Sequence, residues 1–298
     1  MTADDGPFPV IVHPYPSPKH TACAYELAAS APKNAVIFIG GLGDGPHTVP
    51  YIRAVAKHLE AAGRHLSYSV FEIRLRSSFS GFGTSSLKND VEDIAALVKY
   101  LRDIGREKIV LFGHSTGCQD CIEYADYFKH GNPQVDGFIM QGPVSDRESI
   151  IDSFPDCQES LALADQWIAD DRAQDCLPSD KVQISCFQRS LSVSVFVSLF
   201  SSAFRGEDDY FSSDLDDKTI SIFWSRFDRP VLVLHSEKDE FVPKHVNQAS
   251  ENKRYQDANS LVSPLSGVIP GAGHTVLEET AREWLGQRVV DFLRILAK

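Results

Sequence analysis

An α/β fold with a mostly parallel central sheet is predicted by the alternation of two kinds of segment along the chain. Short apolar runs, such as Ala35–Ile39 and Pro230–His235, are typical of strands buried on both faces of a sheet. Between such runs, apolar residues recur every three or four positions, as in Leu87–Leu101, which is the period of an amphipathic helix. Strands separated by helices build βαβ units, so we expect helices on both faces of the sheet.

The elements can be assigned in chain order. Clusters of Gly and Pro, such as Pro14–Pro18, separate neighbouring segments and mark turns. We predict strands at Pro9–Val12, Ala22–Leu27, Ala35–Ile39, Ser69–Ile73, Ile109–Phe112, Val135–Met140, Pro230–His235 and Leu265–Ile269. The predicted helices lie at Tyr51–Leu59, Leu87–Leu101, Thr116–Phe128 and, at the end of the sequence, Trp284–Leu296.

One long segment interrupts this alternation. From Ser145 to about Phe227, acidic helical stretches are followed by an apolar run, Leu191–Phe200. An insertion of this length between two sheet strands is typical of a lid over an active site. We therefore predict a core of residues 1–144 and 228–298, with an inserted acidic lid at residues 145–227.

Composition narrows the possible functions. The net charge of −12 argues against a nucleic-acid or anionic-membrane partner. No apolar run is long enough to span a bilayer, and the first residues lack the features of a secretory signal, so we expect a cytoplasmic protein.

Neither a metal-binding motif nor a nucleotide-binding motif is present, and we predict no metal and no cofactor. Cys118 and Cys121 spell C-x-x-C, but they fall inside a helix that we expect to pack inward.

The most informative motif is Gly113-His-Ser-Thr-Gly117, which follows directly after an apolar strand. This G-x-S-x-G pattern at a strand end is typical of a nucleophile elbow, a sharp turn that pushes a serine side chain clear of the backbone. The turn strains the serine and leaves no room for side chains two residues away, so glycine at both flanks is required. Ser115 is therefore the candidate nucleophile.

A serine hydroxyl needs a base, and the base needs an orienting carboxylate. In this motif's usual setting the acid and then the histidine follow the serine along the chain. Asp239 lies just past the Pro230–His235 strand, and His274 follows the last predicted strand in Pro270-Gly-Ala-Gly-His274, where the glycines allow close approach. Both should meet Ser115 at the carboxyl edge of the sheet. Asp146, which follows another strand, is the alternative acid, and Glu237 and Glu240 are interpreted as solvated neighbours.

An oxyanion hole requires two backbone N–H groups aimed at the developing negative charge. One should come from Thr116, the residue after the nucleophile. We expect the other from Leu42, in the Gly41-Leu-Gly43 loop after the first buried strand, with Gly41 beside the substrate. These glycines lack the spacing and the lysine of nucleotide-binding loops.

Further substrate contacts are predicted near the same edge. Arg74, Arg76 and Ser78 precede a Ser/Gly-rich loop, for which the alternative is a turn that ends in a helix N-cap at Ser85 or Ser86. Asp208 and Asp209 belong to the acidic lid, where 17 Asp and Glu residues stand against 8 Lys and Arg between Ser145 and Arg229. Such a lid would attract a cationic ligand. For the apolar residues 191–204, we favour packing within the lid over substrate contact.

From about Ala22 onward, the chain resembles the α/β-hydrolase superfamily. More narrowly, it is similar to a fungal family, formerly of unknown function, that includes intracellular esterases of fusarinine-type siderophores. This similarity rests on Arg76–Leu87, Gly113–Asp120, Gly206–Asp214 and the loops of Asp239 and His274. The resemblance implies that Ser115 is the nucleophile, Asp239 the orienting acid and His274 the base.

The resemblance also implies a substrate, a ferric hydroxamate siderophore whose units are joined by ester bonds. Cutting those bonds would lower the effective concentration of each chelating group and release iron inside the cell. The unacetylated siderophore has cationic amines, which suit an acidic lid. A general carboxylesterase or thioesterase would share every catalytic residue, and a ligand sensor without catalysis is a further alternative. The oligomeric state is left open.

Overall fold

The fold confirms the predicted α/β class with a mostly parallel sheet. The computed structural model describes residues 6–18, 22–27, 32–63, 65–153, 157–178, 191–201 and 208–297, leaving aside the side chains of 150–157 and 200. Within these residues eight strands form one sheet. They are β1 (Ile11–Pro14), β2 (Cys23–Leu27), β3 (Asn34–Ile39), β4 (Tyr68–Ile73), β5 (Ile109–His114), β6 (Gly137–Gln141), β7 (Val231–Ser236) and β8 (Gly267–Ile269).

The order of the strands across the sheet is β1-β2-β4-β3-β5-β6-β7-β8. β2 pairs antiparallel with β1 and with β4, and every other neighbouring pair is parallel. Gly113 at the end of β5 pairs with Ile39 of β3 and with Met140 of β6. The carboxyl ends of β3, β5, β6 and β7 therefore lie along one edge, where the loops that follow them can meet.

Helices cover both faces of the sheet. They are α1 (Tyr51–Ala61), α2 (Leu87–Asp103), α3 (Gly117–Tyr124), α4 (Tyr127–His130), α5 (Asp146–Ser153), α6 (Cys157–Ala169), α7 (Val193–Phe200), α8 (Asp217–Trp224), α9 (Gln248–Ala258) and α10 (Glu279–Leu296). Val36 of β3 faces the core under α1 and α10, whereas Ile37 faces the core under α2, α3, α8 and α9. None of the helices in the described residues has the length and apolar composition needed to cross a bilayer.

The helix predicted at Thr116–Phe128 is wrong at its end, because two helices occupy this segment. α3 ends at Tyr124, and Asp126 leaves the helical conformation with ψ 69°. Its carboxylate accepts a hydrogen bond from the Lys129 N–H at 2.9 Å and so caps α4. An aspartate is well suited to this role, because its short side chain reaches the backbone two or three residues ahead.

The predicted lid contains a small hydrophobic core of its own. Residues 154–156, 179–190 and 202–207 of that segment, including Gly206 and Glu207 of the family motif, lie outside the described residues. We call the following buried residues the lid cluster: Phe82, Leu161, Ala164, Leu177, Leu191, Val193, Val195, Phe196, Val197 and Leu199. Most of the apolar run therefore packs within the lid, as expected.

The last part of the predicted lid packs elsewhere. Tyr210, Phe211, Phe223 and Trp224 belong to the main core on the α2 and α3 face of the sheet. Trp224 is fully buried and stacks on Tyr255 of α9, with 4.3 Å between ring centroids. We therefore propose that the lid ends before Tyr210, whereas the sequence predicted an end at residue 227.

Gly113→Ala should destabilise the protein, because a methyl group there would lie 2.1 Å from the Gly117 carbonyl oxygen. We expect a loss of at least about 3 kcal/mol in the free energy of unfolding. Gly267→Ala is a matched control, because a Cβ at that strand position meets nothing within 4 Å. It should stay within about 1 kcal/mol of the wild type. Urea unfolding of both variants measures the difference, and similar losses would contradict this account of the turn.

Candidate active site

The turn after β5 has the geometry of a nucleophile elbow. Ser115 lies between β5 and α3 and has φ 53°, which is rare for any residue other than glycine. A Cβ at Gly117 would approach the Ile39 carbonyl oxygen to 2.4 Å, just as one at Gly113 would collide with Gly117. Glycine at both flanks thus lets the backbone segments of this turn approach each other closely. The tight turn strains Ser115 and projects its side chain from the sheet edge.

The structure brings His274 and Asp239 into direct contact. His274 Nδ1 donates to Asp239 Oδ2 at 2.8 Å, and both side chains are buried. The other oxygen, Asp239 Oδ1, accepts from the Phe241 N–H at 3.1 Å. The Phe241 ring packs edge-on against His274, with 4.8 Å between centroids. The imidazole is therefore held in one orientation, with Nδ1 protonated and Nε2 available as a base.

Gln141, at the end of β6, links the three loops of the site. Its carbonyl oxygen accepts from the Ser115 N–H at 3.0 Å. Its side-chain Nε2 donates to the His274 carbonyl at 3.2 Å and to Ser236 Oγ at 3.0 Å. Sequence reasoning missed this residue, and the available signal was a single polar residue ending an apolar strand, Gly137-Phe-Ile-Met-Gln141.

His114 completes this buried network. Its Nδ1 donates to Gln141 Oε1 at 2.6 Å, and its ring lies 4.9 Å from that of His274 between centroids. Burial, helped by the neighbouring His274, lowers the pKa of His114 to about 3. His114 is therefore neutral at physiological pH, so that it fills the space beside His274 without adding a competing positive charge.

Two carboxylates fix the loop that contains His274. Glu240 Oε2 accepts from the His274 N–H at 2.9 Å, and Glu237 Oε2 accepts from the Gly271 N–H at 2.5 Å. Both residues are exposed, as expected of solvated neighbours, and each also binds backbone of the loop that positions the imidazole. Charged acceptors make such hydrogen bonds stronger than neutral ones do.

The alternative acid, Asp146, lies near His274 without replacing Asp239. Its Oδ2 accepts from Gln119 Nε2 at 3.0 Å. Burial raises the pKa of Asp146 to about 7, with the nearby His274 opposing the shift. The hydrogen bond to His274 Nδ1 is made by Asp239, so the geometry favours Asp239 as the orienting acid.

The loop after β3 lies against Ser115, which is the place that the predicted oxyanion loop requires. A Cβ at Gly41 would lie 2.7 Å from Ser115 Cβ, so only glycine permits this approach. Asp44 Oδ2 accepts from the Gly41 N–H at 2.9 Å and fixes the turn. Leu42 and Thr116 both line the adjacent pocket, and the Leu42 side chain packs against the lid cluster.

This pocket lies between the sheet edge and the lid. Apolar side chains form part of its wall, including Val195 and Leu199 of α7, which reach down from the lid. Its polar lining includes four aspartates. The lining carboxylates are Asp44, Asp90, Asp120 and Asp208, and the neutral polar residues are Ser77, Ser78, Ser85, Ser86, Thr116 and Gln119.

The expected substrate contact by Arg76 is wrong, because its guanidinium is fully engaged elsewhere. Its donors bind Asp93 at 2.7 and 3.1 Å, Asn89 at 2.9 Å and Glu92 at 3.2 Å, all on α2. Arg74 is exposed beside Tyr25 and is not among the residues that line the pocket. The structure agrees with the alternative prediction for this segment, a turn that ends in a helix N-cap. The turn leads into α2, and Ser86 is the N-cap.

Ser78 lies in the pocket lining, and its Oγ accepts from the Leu75 N–H at 3.0 Å.

The two lid aspartates, Asp208 and Asp209, differ from each other. Asp208 lines the pocket and accepts from Ser198 Oγ at 3.2 Å. Asp209, by contrast, is buried against Arg147 at 3.0 Å, outside the pocket lining, so the expected substrate contact is wrong for this residue. Its charge is already neutralised by the arginine.

The C-x-x-C pair is structural. Cys118 and Cys121 are both fully buried in α3. Burial raises the pKa of each thiol well above its usual range, so neither forms a thiolate readily. In the described residues, no group of three or more His, Cys, Asp and Glu side chains could hold a metal ion.

Comparisons with known proteins agree with this fold and site. The family described as "Protein of unknown function (DUF1749)" matches residues 1–294. Fusarinine C esterase sidJ of Aspergillus fumigatus is 29% identical over 359 positions, covering 98% of this chain and 98% of that protein. Esterase AN6793 of Emericella nidulans is 30% identical, covering 91% of this chain and 87% of that protein. The solved structure of siderophore hydrolase EstB from Aspergillus fumigatus superposes with a TM-score of 0.80 at 28% identity, covering 98% and 99% of the two chains.

The fold and these similarities define an α/β-hydrolase that acts as an ester hydrolase. The chain belongs to the DUF1749 family. The resemblance to fungal siderophore esterases, which the sequence motifs indicated, is thereby confirmed at the level of the family.

Arg76→Met should destabilise the protein without changing substrate affinity directly. It would leave Asp93, which is buried, without its arginine partner, at a cost of about 2 kcal/mol or more. Arg74→Met, the matched control, removes an exposed arginine and should change the free energy of unfolding by less than about 0.5 kcal/mol. Urea unfolding gives both values. A stable Arg76→Met enzyme with a greatly raised KM would restore Arg76 as a substrate contact.

Asp146→Asn should remove part of the pH dependence of stability. Because burial raises the pKa of Asp146 to about 7, its protonated form stabilises the fold at low pH. That stability is lost as pH rises from the unfolded value of about 4 through the folded value. Between about pH 5.5 and 8, the free energy of unfolding of the wild type should fall by about 2 kcal/mol more than that of the variant. Urea unfolding at both pH values tests this, and equal losses would contradict it.

Proposed function

We propose that the protein is a serine esterase in which Ser115, His274 and Asp239 form a catalytic triad. The observation that supports this most directly is the 2.8 Å contact between His274 and Asp239 at the same sheet edge as the strained Ser115. A hydroxyl, a base and an orienting acid at one edge are the requirements for nucleophilic catalysis.

In the proposed mechanism, Ser115 Oγ attacks the ester carbonyl while His274 Nε2 accepts its proton. Asp239 stabilises the imidazolium that forms. The N–H groups of Thr116 and Leu42 donate to the oxyanion of the tetrahedral intermediate. His274 then protonates the departing alcohol, and a water molecule, activated by the same histidine, hydrolyses the acyl-enzyme.

The proposed substrate is a fusarinine-type siderophore, in which ester bonds join hydroxamate units around one ferric ion. Two relatives that match nearly the whole chain are named for siderophore hydrolysis. The acidic pocket beside Ser115 also suits a substrate with positive charge. Cleavage inside the cell would separate the three hydroxamates, lower the effective concentration of each near the iron and so release the metal.

Ser115→Ala should reduce turnover of ferric fusarinine C by about 10³-fold or more, because the nucleophile is lost while the oxyanion donors remain. Mass spectrometry of the products from ferric fusarinine C and ferric triacetylfusarinine C measures this, with shorter linear esters and monomers expected from the wild type but not from Ser115→Ala. Ser225→Ala is the control, since Ser225 is an exposed serine at the C-terminal end of α8.

The control variant should match the wild type in rate, and all three proteins should unfold at the same urea concentration. Undiminished product formation by a folded Ser115→Ala protein would refute the triad. An active wild type that cleaves simple esters but neither siderophore would refute the substrate.

A further inference from the structure

Three buried or half-buried carboxylates lie together in the pocket beside Ser115, and we call Asp90, Asp120 and Asp208 the pocket acids. Asp120 and Asp90 are only 4% and 7% exposed. Asp90 accepts a hydrogen bond from Ser85 Oγ at 3.3 Å. Carboxylates collected in this way repel one another, and burial removes the water that would otherwise screen them.

Two oxygens of the pocket lining have unmet hydrogen-bonding capacity. Asp120 Oδ1 and Gln119 Oε1 are buried, and neither has a hydrogen-bond partner in the part of the chain that the structure describes. The orientation of the Gln119 amide is fixed, because its Nε2 donates to the Val144 carbonyl at 3.3 Å and to Asp146 at 3.0 Å. Gln119 therefore presents an acceptor. A buried acceptor without a donor is costly unless a ligand supplies one.

The charged groups around these oxygens indicate the sign of the charge that such a ligand would carry. Burial raises the pKa of Asp90 to about 7. Burial also raises the pKa of Asp120 well above its usual range. Nearby acids add to this second shift, namely Asp90, Asp208, Glu123 and Asp93. Arg76 is the cation that acts on Asp90, but its guanidinium is bound to Asp93. A ligand with positive charge would relieve this repulsion.

The pocket acids lie close to the reacting atoms. The Asp120 N–H donates to the Thr116 carbonyl at 3.2 Å, so the two residues are one turn apart on the same face of α3. Side chains with this spacing are separated by about 6 Å. A group bound by Asp120 would thus lie only a few bonds from an ester carbonyl whose oxygen is held by the Thr116 N–H.

We propose that the pocket acids and Gln119 bind a primary ammonium group of the substrate, so that the enzyme prefers esters with a free amine a few bonds from the scissile carbonyl. This inference rests on the proposed function of Ser115. An ammonium group has three N–H donors, which match Asp120 Oδ1, Gln119 Oε1 and one further pocket acid.

The test compares ferric fusarinine C, which has free amines, with ferric triacetylfusarinine C, in which the same amines are acetylated. At about pH 6.5 an α-amine is protonated. Asp120→Asn, which is close in shape to the wild type, should lower kcat/KM for the amine form by about 30-fold or more, because the variant has no carboxyl group that can ionise when the ammonium binds. For the acetylated form the change should be below about 3-fold. Asp208→Asn should shift the preference in the same direction.

Asp103→Asn is the matched control, because it removes the same charge from an exposed position at the end of α2. It should leave both rates unchanged, which separates a local contact from long-range attraction. Equal losses on both substrates in Asp120→Asn, or a loss in Asp103→Asn as large as that in Asp120→Asn, would overturn the ammonium site.

Calorimetric titration of Ser115→Ala with the two siderophores gives a second readout that needs no turnover. The amine form should bind more tightly, and adding Asp120→Asn should remove that preference. Equal affinities of Ser115→Ala for both forms would overturn the inference even if the wild type is an active esterase. If the wild type forms no products, the proposed function fails, and the titration still decides whether the ammonium site exists.

Discussion

The hydrogen bonds of Gln141 hold together the sheet edge on which the rest of the site depends. Its backbone carbonyl anchors Ser115, and its side chain anchors Ser236 and the backbone of His274. Each of these residues ends or follows a different strand, so their distances are set by one buried side chain and by the strand register. A triad from distant parts of the sequence needs such a common anchor, because small displacements reduce catalysis strongly.

The charges of the site are divided between two regions with different tasks. Around His274, burial keeps His114 neutral while Asp239 provides a carboxylate in contact with the imidazole. In the pocket, by contrast, Asp90 and Asp120 are crowded without a matching cation among the described residues. In the proposed mechanism, the first arrangement stabilises a positive charge that appears on the enzyme during the reaction. The second is suited to a positive charge that arrives with the substrate.

The strands and the candidate triad could be predicted because their signals are local. Buried strands are apolar runs, and the turn at Ser115 requires its flanking glycines. The role of Arg76 could not be predicted, because its partner Asp93 lies 17 residues away on a helix face, and a charged residue near a sheet edge resembles a substrate contact. Gln141 and Gln119 were missed for the same reason, since an amide acquires its function only from the tertiary contacts around it.

The most direct measurement of the central claim is the site of covalent labelling by a fluorophosphonate, which reacts with an activated serine. Peptide mapping by mass spectrometry should find one modified residue, Ser115, in the wild type. His274→Ala should react far more slowly, because the hydroxyl then has no base to remove its proton. Rapid labelling of any other serine, or labelling of Ser115 at the same rate in His274→Ala, would contradict the account.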